Sequence, residues 1–190
     1  MTAGLVLAAG AGTRFGEQPK LLATVEGRPL LEHAIRAQCG VPELDRIVVV
    51  LGAHAAGILA AVDFGEAEPV ICEDWRDGQA ASLRCGVSAL SDADKVIVTL
   101  GDQPLITPAV IARFVDRPGG TRAVYHGRPG HPVVLGAEQM RAVQALTGDR
   151  GARELLGDGP TIECAGLCSG RDVDTLEDLE EIRHEARAIL

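Results

Sequence analysis

Residues 7–20 read LAAGAGTRFGEQPK and continue the apolar run Gly4-Leu5-Val6-Leu7, so a buried strand opens into a glycine-rich, cationic loop. Gly10 and Gly12 allow a tight turn that brings unobstructed backbone N–H groups up to an anion, while Arg14 and Lys20 add fixed positive charge. The segment predicts a phosphate site at the carboxyl end of the first strand. Two commoner phosphate loops do not fit it. A Walker A loop needs G-x-x-x-x-G-K-[ST], and counted from Gly10 that frame puts Phe15 and Gly16 where Gly and Lys belong. A dinucleotide fingerprint, G-x-G-x-x-G/A, would end on Phe15, too bulky for close helix–strand packing.

Beyond this loop, the chain alternates short aliphatic runs with helix-period segments, the pattern of a layered α/β domain with a mainly parallel sheet. Strands are expected at Gly4 to Ala8, Arg46 to Leu51, Pro69 to Cys72, Lys95 to Leu100, Arg122 to Tyr125, Pro132 to Leu135 and Thr161 to Ala165. Helices are expected at Leu30 to Gln38, Ala55 to Val62, Ala80 to Leu90, Pro108 to Val115, Ala137 to Leu146 and Leu176 to Ile189. Thr107 reads as an N-cap before Pro108, and Thr175 as another with Asp178 at capping-box distance. Pro118-Gly119-Gly120 and Gly127-Arg128-Pro129-Gly130 read as turns.

The 190 residues suit a single domain, 1–190, with no second unit required. A net charge of -9 argues against a general nucleic-acid binder, which needs a cationic surface to displace counterions, so the basic residues act locally. Five cysteines at no framework or zinc spacing, Cys164 and Cys168 included, read as buried or free thiols in a reducing compartment. The N-terminus lacks a signal-type pattern and no run approaches the ~20 apolar residues of a membrane span. The expectation is a soluble, cytoplasmic protein.

In an open parallel sheet, ligands gather beyond the carboxyl ends of the strands, so the residues just after each strand carry the chemistry. Gly101-Asp102-Gln103-Pro104 places a carboxylate there, and Asp102 is the first candidate metal ligand. A hard cation such as Mg2+ needs only one or two carboxylates beside phosphate oxygens and water. Asp172-Val173-Asp174-Thr175 offers two more carboxylates. Asp174 is the choice for the metal, Asp172 for bracing the loop. Trp75, Gly78, Gln79 and Ser82 precede or open a helix and could meet a base or ribose. The histidine of Gly130-His131-Pro132 reads in isolation as a solvated loop residue.

Taken in order, LAAGAGTRFG with Pro19-Lys20, Trp75-x-x-Gly78-x-x-x-Ser82-Leu83, GDQPLI, GHPV, GDRGAR and DVDT resemble the MobA-like nucleotidyltransferases, most closely the molybdenum cofactor cytidylyltransferase group. The resemblance implies a Rossmann-like three-layer α/β/α nucleotidyltransferase fold and Mg2+ dependence. It implies that Leu7, Ala8, Ala9, Gly10, Gly12, Arg14 and Lys20 hold the triphosphate, and that Gly78 and Ser82 wall the nucleoside. Asp102 and Asp174 resemble the metal ligands, with Arg14, Lys20 and Asp102 catalytic. Gly130 and His131 would lie toward the acceptor. The double alanine in Leu7-Ala8-Ala9-Gly10 is similar to cytidylyl members, favouring CTP over GTP and CMP transfer to a molybdopterin-type acceptor, with a molybdoenzyme as possible partner. Transfer to a sugar phosphate or similar acceptor, and a molybdopterin-binding chaperone, stand as alternatives.

Overall fold

The protein is described here by a computed structural model covering residues 1–16 and 18–189. Its main sheet is built from β1 (Thr2–Ala8), β4 (Arg46–Leu51), β5 (Glu68–Ile71), β6 (Lys95–Leu100), β7 (Arg122–Tyr125), β8 (Arg128–Gly136) and β9 (Thr161–Glu163), in the order β5-β4-β1-β6-β8-β7-β9. A small antiparallel hairpin, β2 (Thr24–Val25) with β3 (Arg28–Pro29), lies apart from it. The strands from β5 to β6 run parallel, β8 runs antiparallel to both its neighbours, and β9 is again parallel to β7.

The helices are α1 (Leu30–Cys39), α2 (Ala55–Ala61), α3 (Gln79–Ala89), α4 (Pro108–Ala112), α5 (Ala137–Val143) and α6 (Leu176–Ile189). Strand side chains alternate between faces, and this splits the interior in two. Val6, Ile47, Val49, Leu51 and Ile97 pack with Leu30, Leu31 and Ile35 of α1, Val110 and Ile111 of α4, and Leu179 and Ile182 of α6. Leu5, Val48, Val50, Val96 and Val98 pack on the other side with Ala80, Leu83 and Val87 of α3 and Val143 of α5. The result is the three-layer α/β/α arrangement. Leaving β1, the chain builds β4 and β5 on one side, then returns to place β6 on the other. The strand order therefore reverses between β1 and β6, where a ligand crevice forms.

Several expectations change. The last strand of the antiparallel section starts at Arg128, so the predicted turn at Gly127-Arg128-Pro129-Gly130 is mostly strand. The true turn is His126-Gly127, both left-handed at φ 52° and 76°, with Tyr125 paired to Arg128. This is the geometry of a two-residue hairpin whose twist matches the strands. The unforeseen β2–β3 hairpin uses the same device at Glu26-Gly27, φ 47° and 76°. Thr107 stands before Pro108 as expected, but its side chain makes no capping bond. At α6 the expected box forms in full: Asp178 Oδ2 accepts from Thr175 N at 2.8 Å, and Thr175 Oγ1 accepts from Asp178 N at 3.1 Å. All five cysteines are free thiols, Cys164 and Cys168 buried among them.

Candidate active site

β1 and β6 are neighbours, with Leu7 opposite Leu100 and Gly101 N donating to Leu7 O at 2.9 Å. The Gly-rich loop and the Gly101-Asp102 turn therefore leave the sheet side by side. The loop is fixed at two points. Gly12 is left-handed at φ 62° and its carbonyl accepts from Phe15 N at 2.9 Å. Phe15, the residue that breaks the dinucleotide pattern, is buried in the core beside Leu21 and anchors the turn. Gly10 needs no left-handed φ, and a Cβ there would touch nothing, so its smallness leaves room over the loop rather than permitting the turn.

Asp174 is brought in by one backbone bond. Val173 N donates to Asp102 O at 3.0 Å and the Val173 side chain is fully buried, which ties this stretch to the Asp102 turn. Asp174 faces the phosphate loop and Asp172 faces a separate cleft. Asp172 does not brace the loop as expected; it is exposed and makes no side-chain bond among the described residues. Asp178 does that work, accepting from Asp174 N at 3.1 Å and from Thr175 N.

The four predicted charged groups meet in one knot. Lys20 Nζ donates to Asp102 Oδ2 at 2.7 Å and to Asp174 Oδ1 at 3.1 Å, while Arg14 pairs with Asp174 Oδ2 at 2.7 Å. The Lys20 side chain is 11% exposed and that of Arg14 74%, so the lysine pair is the interior one. Burial opposes the Lys20 charge, but the charges and hydrogen bonds of Asp102 and Asp174 outweigh it and hold its pKa above the usual value. Burial pushes the Asp102 carboxyl up; Lys20 pulls it back in part, and the charge of Asp172 adds to the rise. The short Lys20–Asp102 contact is a charge-assisted hydrogen bond, stronger than a neutral one. Asp102 Oδ1 is buried with no hydrogen-bond partner.

Two adjoining clefts open at this point. The first, about 790 Å3, is lined by Ala9, Gly10, Ala11, Arg14, Trp75, Gly78, Ser82 and Asp102. Gly12, Lys20 and Asp174 line a smaller recess that shares Arg14 with it. The second cleft, about 890 Å3, contains Gly130 and His131, with Gln103, Tyr125, Arg128 and Arg153. Leu7, Leu100, Gln79 and Asp149 belong to both and form the seam. Ala8 stands apart from the other predicted loop residues: its methyl is in the core, leaving only its backbone for a ligand.

Sequence reasoning named Leu7 and Gln79 of the seam but missed Leu100 and Asp149, and in the second cleft it missed Gln103, Tyr125, Arg128 and Arg153. Gly78, at φ 98°, lets the 148–149 loop dock on the start of α3: a Cβ there would lie 2.5 Å from Gly148 O, and Ala80 N donates to that oxygen at 3.0 Å. The glycines of GDRGAR could have signalled this close approach. Tyr125 lies against Gly130 and Gly170 and donates to His131 O at 2.6 Å. His131 is not a solvated loop residue. Burial, with the charge of Arg153 adding, lowers its pKa to about 4, so the ring is neutral at physiological pH.

A charged knot at the strand-order reversal, on the wall of a cleft of nucleotide size that adjoins a second one, defines a nucleotidyltransferase-type α/β domain. Comparison with known proteins agrees, and narrows it: the chain belongs to the MobA-like NTP transferase domain family, whose model matches residues 4–163. Asp174 lies beyond that stretch. A relative named nicotine blue oxidoreductase, from Paenarthrobacter nicotinovorans, is 35% identical over 93% of each chain. Among solved structures, Rv0371c from Mycobacterium tuberculosis H37Rv superposes with a TM-score of 0.81 at 28% identity, over 96% of this chain and 97% of that one. The same protein is also known as a complex with manganese. A nucleotidyl transferase from Methanothermobacter superposes with a TM-score of 0.79 at 25% identity, covering 99% of both chains. Among the described residues no helix is long and apolar enough to cross a membrane.

Proposed function

We propose that the protein transfers a nucleotidyl group, CMP from CTP, to the terminal phosphate of a molybdopterin-type acceptor and releases pyrophosphate. The observation that carries this reading is the meeting of Arg14, Lys20, Asp102 and Asp174 on the wall of the first cleft and its adjoining recess. The nucleotide belongs to the cleft walled by the Gly-rich loop, Gly78 and Ser82, and the acceptor to the cleft of Gly130 and His131.

Among the described residues no group of three or more His, Cys, Asp or Glu side chains forms a ready-made metal cage. The donor set still fits Mg2+ or a similar divalent ion, which keeps several waters and takes few protein ligands. Asp102, with its unpartnered buried oxygen, and Asp174 would hold it, and the manganese complex of the mycobacterial structural relative supports a divalent ion here. When bound, such an ion supplies Lewis-acid polarisation of phosphate oxygens.

The remaining chemistry falls to the chain. The acceptor phosphate is already an anion, so it needs little help from a base, and the work reduces to alignment and charge neutralisation. Lys20 and Arg14 offset charge on the α-phosphate and the departing pyrophosphate. The loop amides around Gly12 orient the triphosphate, and the neutral His131 ring presents no charge to repel or trap the acceptor.

The test is a matrix of CTP and GTP against molybdopterin and sugar phosphates, with and without Mg2+ or Mn2+, read as pyrophosphate release. Release with CTP, molybdopterin and metal is expected; release only with another phosphorylated acceptor moves the activity to that substrate. Intact CTP alongside cofactor handover to an apoenzyme points to a chaperone. The oxidoreductase name of the full-length relative supports a second reading, redox chemistry on the same framework. Oxidation of NAD(P)H with nicotine blue, together with no pyrophosphate release from any triphosphate, selects that second reading.

A further inference from the structure

The residues needed by the phosphates and those needed by the metal are bonded to each other. Lys20 bridges one oxygen of Asp102 and one of Asp174, and Arg14 takes the second oxygen of Asp174. We propose that divalent ion and triphosphate enter this site by exchange: Lys20 holds the cation position between the two carboxylates, and each ligand releases the groups that the other requires. This rests on the nucleotidyltransferase reading above.

For the two oxygens that Lys20 bridges, Asp102 Oδ2 and Asp174 Oδ1, the two uses are mutually exclusive. A divalent ion sits about 2.0–2.1 Å from its carboxylate oxygens, and an ammonium 2.7 Å from one such oxygen and 3.1 Å from the other already fills the space between them. Added alone, the ion must evict a cation that then has no anion to go to. Triphosphate added alone must pull Lys20 off two carboxylates and leave their charges facing its own. Added together, the four protein charges and the two ligands can all be paired.

The carboxylates are the fixed partners and the ammonium the moving one. Asp102 is pinned through its carbonyl by Val173 N at 3.0 Å, and Asp174 through its N–H by Asp178 at 3.1 Å. Lys20 has an anchored base, in the one-turn 3-10 helix Lys20–Leu22 with Leu21 buried behind it, and a flexible four-carbon stem. Its stem also borders Gly12, where a Cβ would lie 3.1 Å from Lys20 Cβ, so a swing of the ammonium from the acids leads toward the phosphate loop. Arg14 plays the lesser part, because its pair is largely exposed and screened by solvent.

The exchange predicts gains of binding from loss of a binding residue. By calorimetry, Lys20→Met should bind Mn2+ without nucleotide about 10-fold more tightly than the parent, and Asp102→Asn should bind CTP in EDTA about 5–10-fold more tightly, within the usual range of site coupling. Circular dichroism checks that each is folded. If Lys20→Met does not fold, Arg14→Gln should show the same gain for Mn2+, about 2-fold, the effect of an exposed pair. Variants that weaken both ligands, or leave the second ligand unchanged while the parent binds CTP, overturn the exchange and leave the nucleotidyltransferase reading standing. No CTP binding by the parent under any condition removes that reading and the exchange with it.

Discussion

The two clefts that share Leu7 and Leu100 are built on opposite electrostatic plans. Around the Gly-rich loop every charge of the knot has a partner: Lys20 and Arg14 saturate Asp102 and Asp174 except for one buried oxygen. Across the seam, Arg128 and Arg153 have no ion-pair partner among the described residues, His131 is neutral, and Gln103 keeps a buried carboxamide oxygen without a bond while its amide donates to Gly170 O at 3.0 Å. The first cleft has its charges already closed on one another, and under the proposed function it takes one kind of ligand, a phosphate chain. The second is left with open polar valences, and its occupant decides how they are filled.

This contrast breaks if substitutions in the two clefts act alike. The largest effect belongs to the knot: Asp102→Ala or Lys20→Ala should lower the rate of pyrophosphate release by about 100-fold or more, as expected for a charge acting on the transition state. Circular dichroism of both variants should match the parent. Near-normal release by either would remove the assigned role.

In the second cleft, the neutral His131 predicts a pH effect on stability. Between about pH 6.5, its value in an unfolded chain, and about pH 4, its value in the fold, the unfolded state binds the extra proton. Stability is therefore present above that window and lost as pH falls through it, by on the order of 2–3 kcal/mol. Urea unfolding at pH 7.5 and 4.5 measures the loss, and His131→Gln should flatten it. Lys20, held cationic, contributes no such change over this range.

Gly78 joins the clefts, and Gly78→Ala should cost about 1–3 kcal/mol, because alanine at a positive φ is strained and the 148–149 loop has to move away. Its thermal midpoint should drop by several degrees. The smallest effect is expected from Tyr125→Phe, which loses the bond to His131 O, worth about 1 kcal/mol. It should raise KM for the acceptor about 5-fold and leave KM for CTP unaltered. A shift in both constants would mean that the clefts are not separable.

The first cleft was legible because its parts follow local rules. A strand ending in small residues, a carboxylate two residues after another strand, and an Asp-x-Asp stretch before a capped helix are each visible in a few letters. The adjacency of β1 and β6 then supplies the three-dimensional step. The second cleft hid because its wall is an antiparallel hairpin turned by His126-Gly127, and histidine is not a residue that advertises a left-handed turn. The same reason concealed Glu26-Gly27. Extending β8 back to Arg128 makes His131 a half-buried strand residue on the cleft wall, its carbonyl held by distant Tyr125 and its ring facing the charge of Arg153, rather than a loop residue set by its neighbours in sequence. Asp172 was misjudged for a related cause: alternation would put it on the same side as Asp174, and their separation into two clefts depends on the local backbone around the buried Val173.

The bond from Val173 N to Asp102 O has a consequence for how the molecule matures. During synthesis the glycine loop and the central strands leave the ribosome first, and a nascent chain ending before residue 173 has all of the first cleft's wall but only one of the two acids of the knot. Assembly of the charged knot thus waits for the stretch around Val173 to return to the middle of the sheet, long after the strands that flank it have been made.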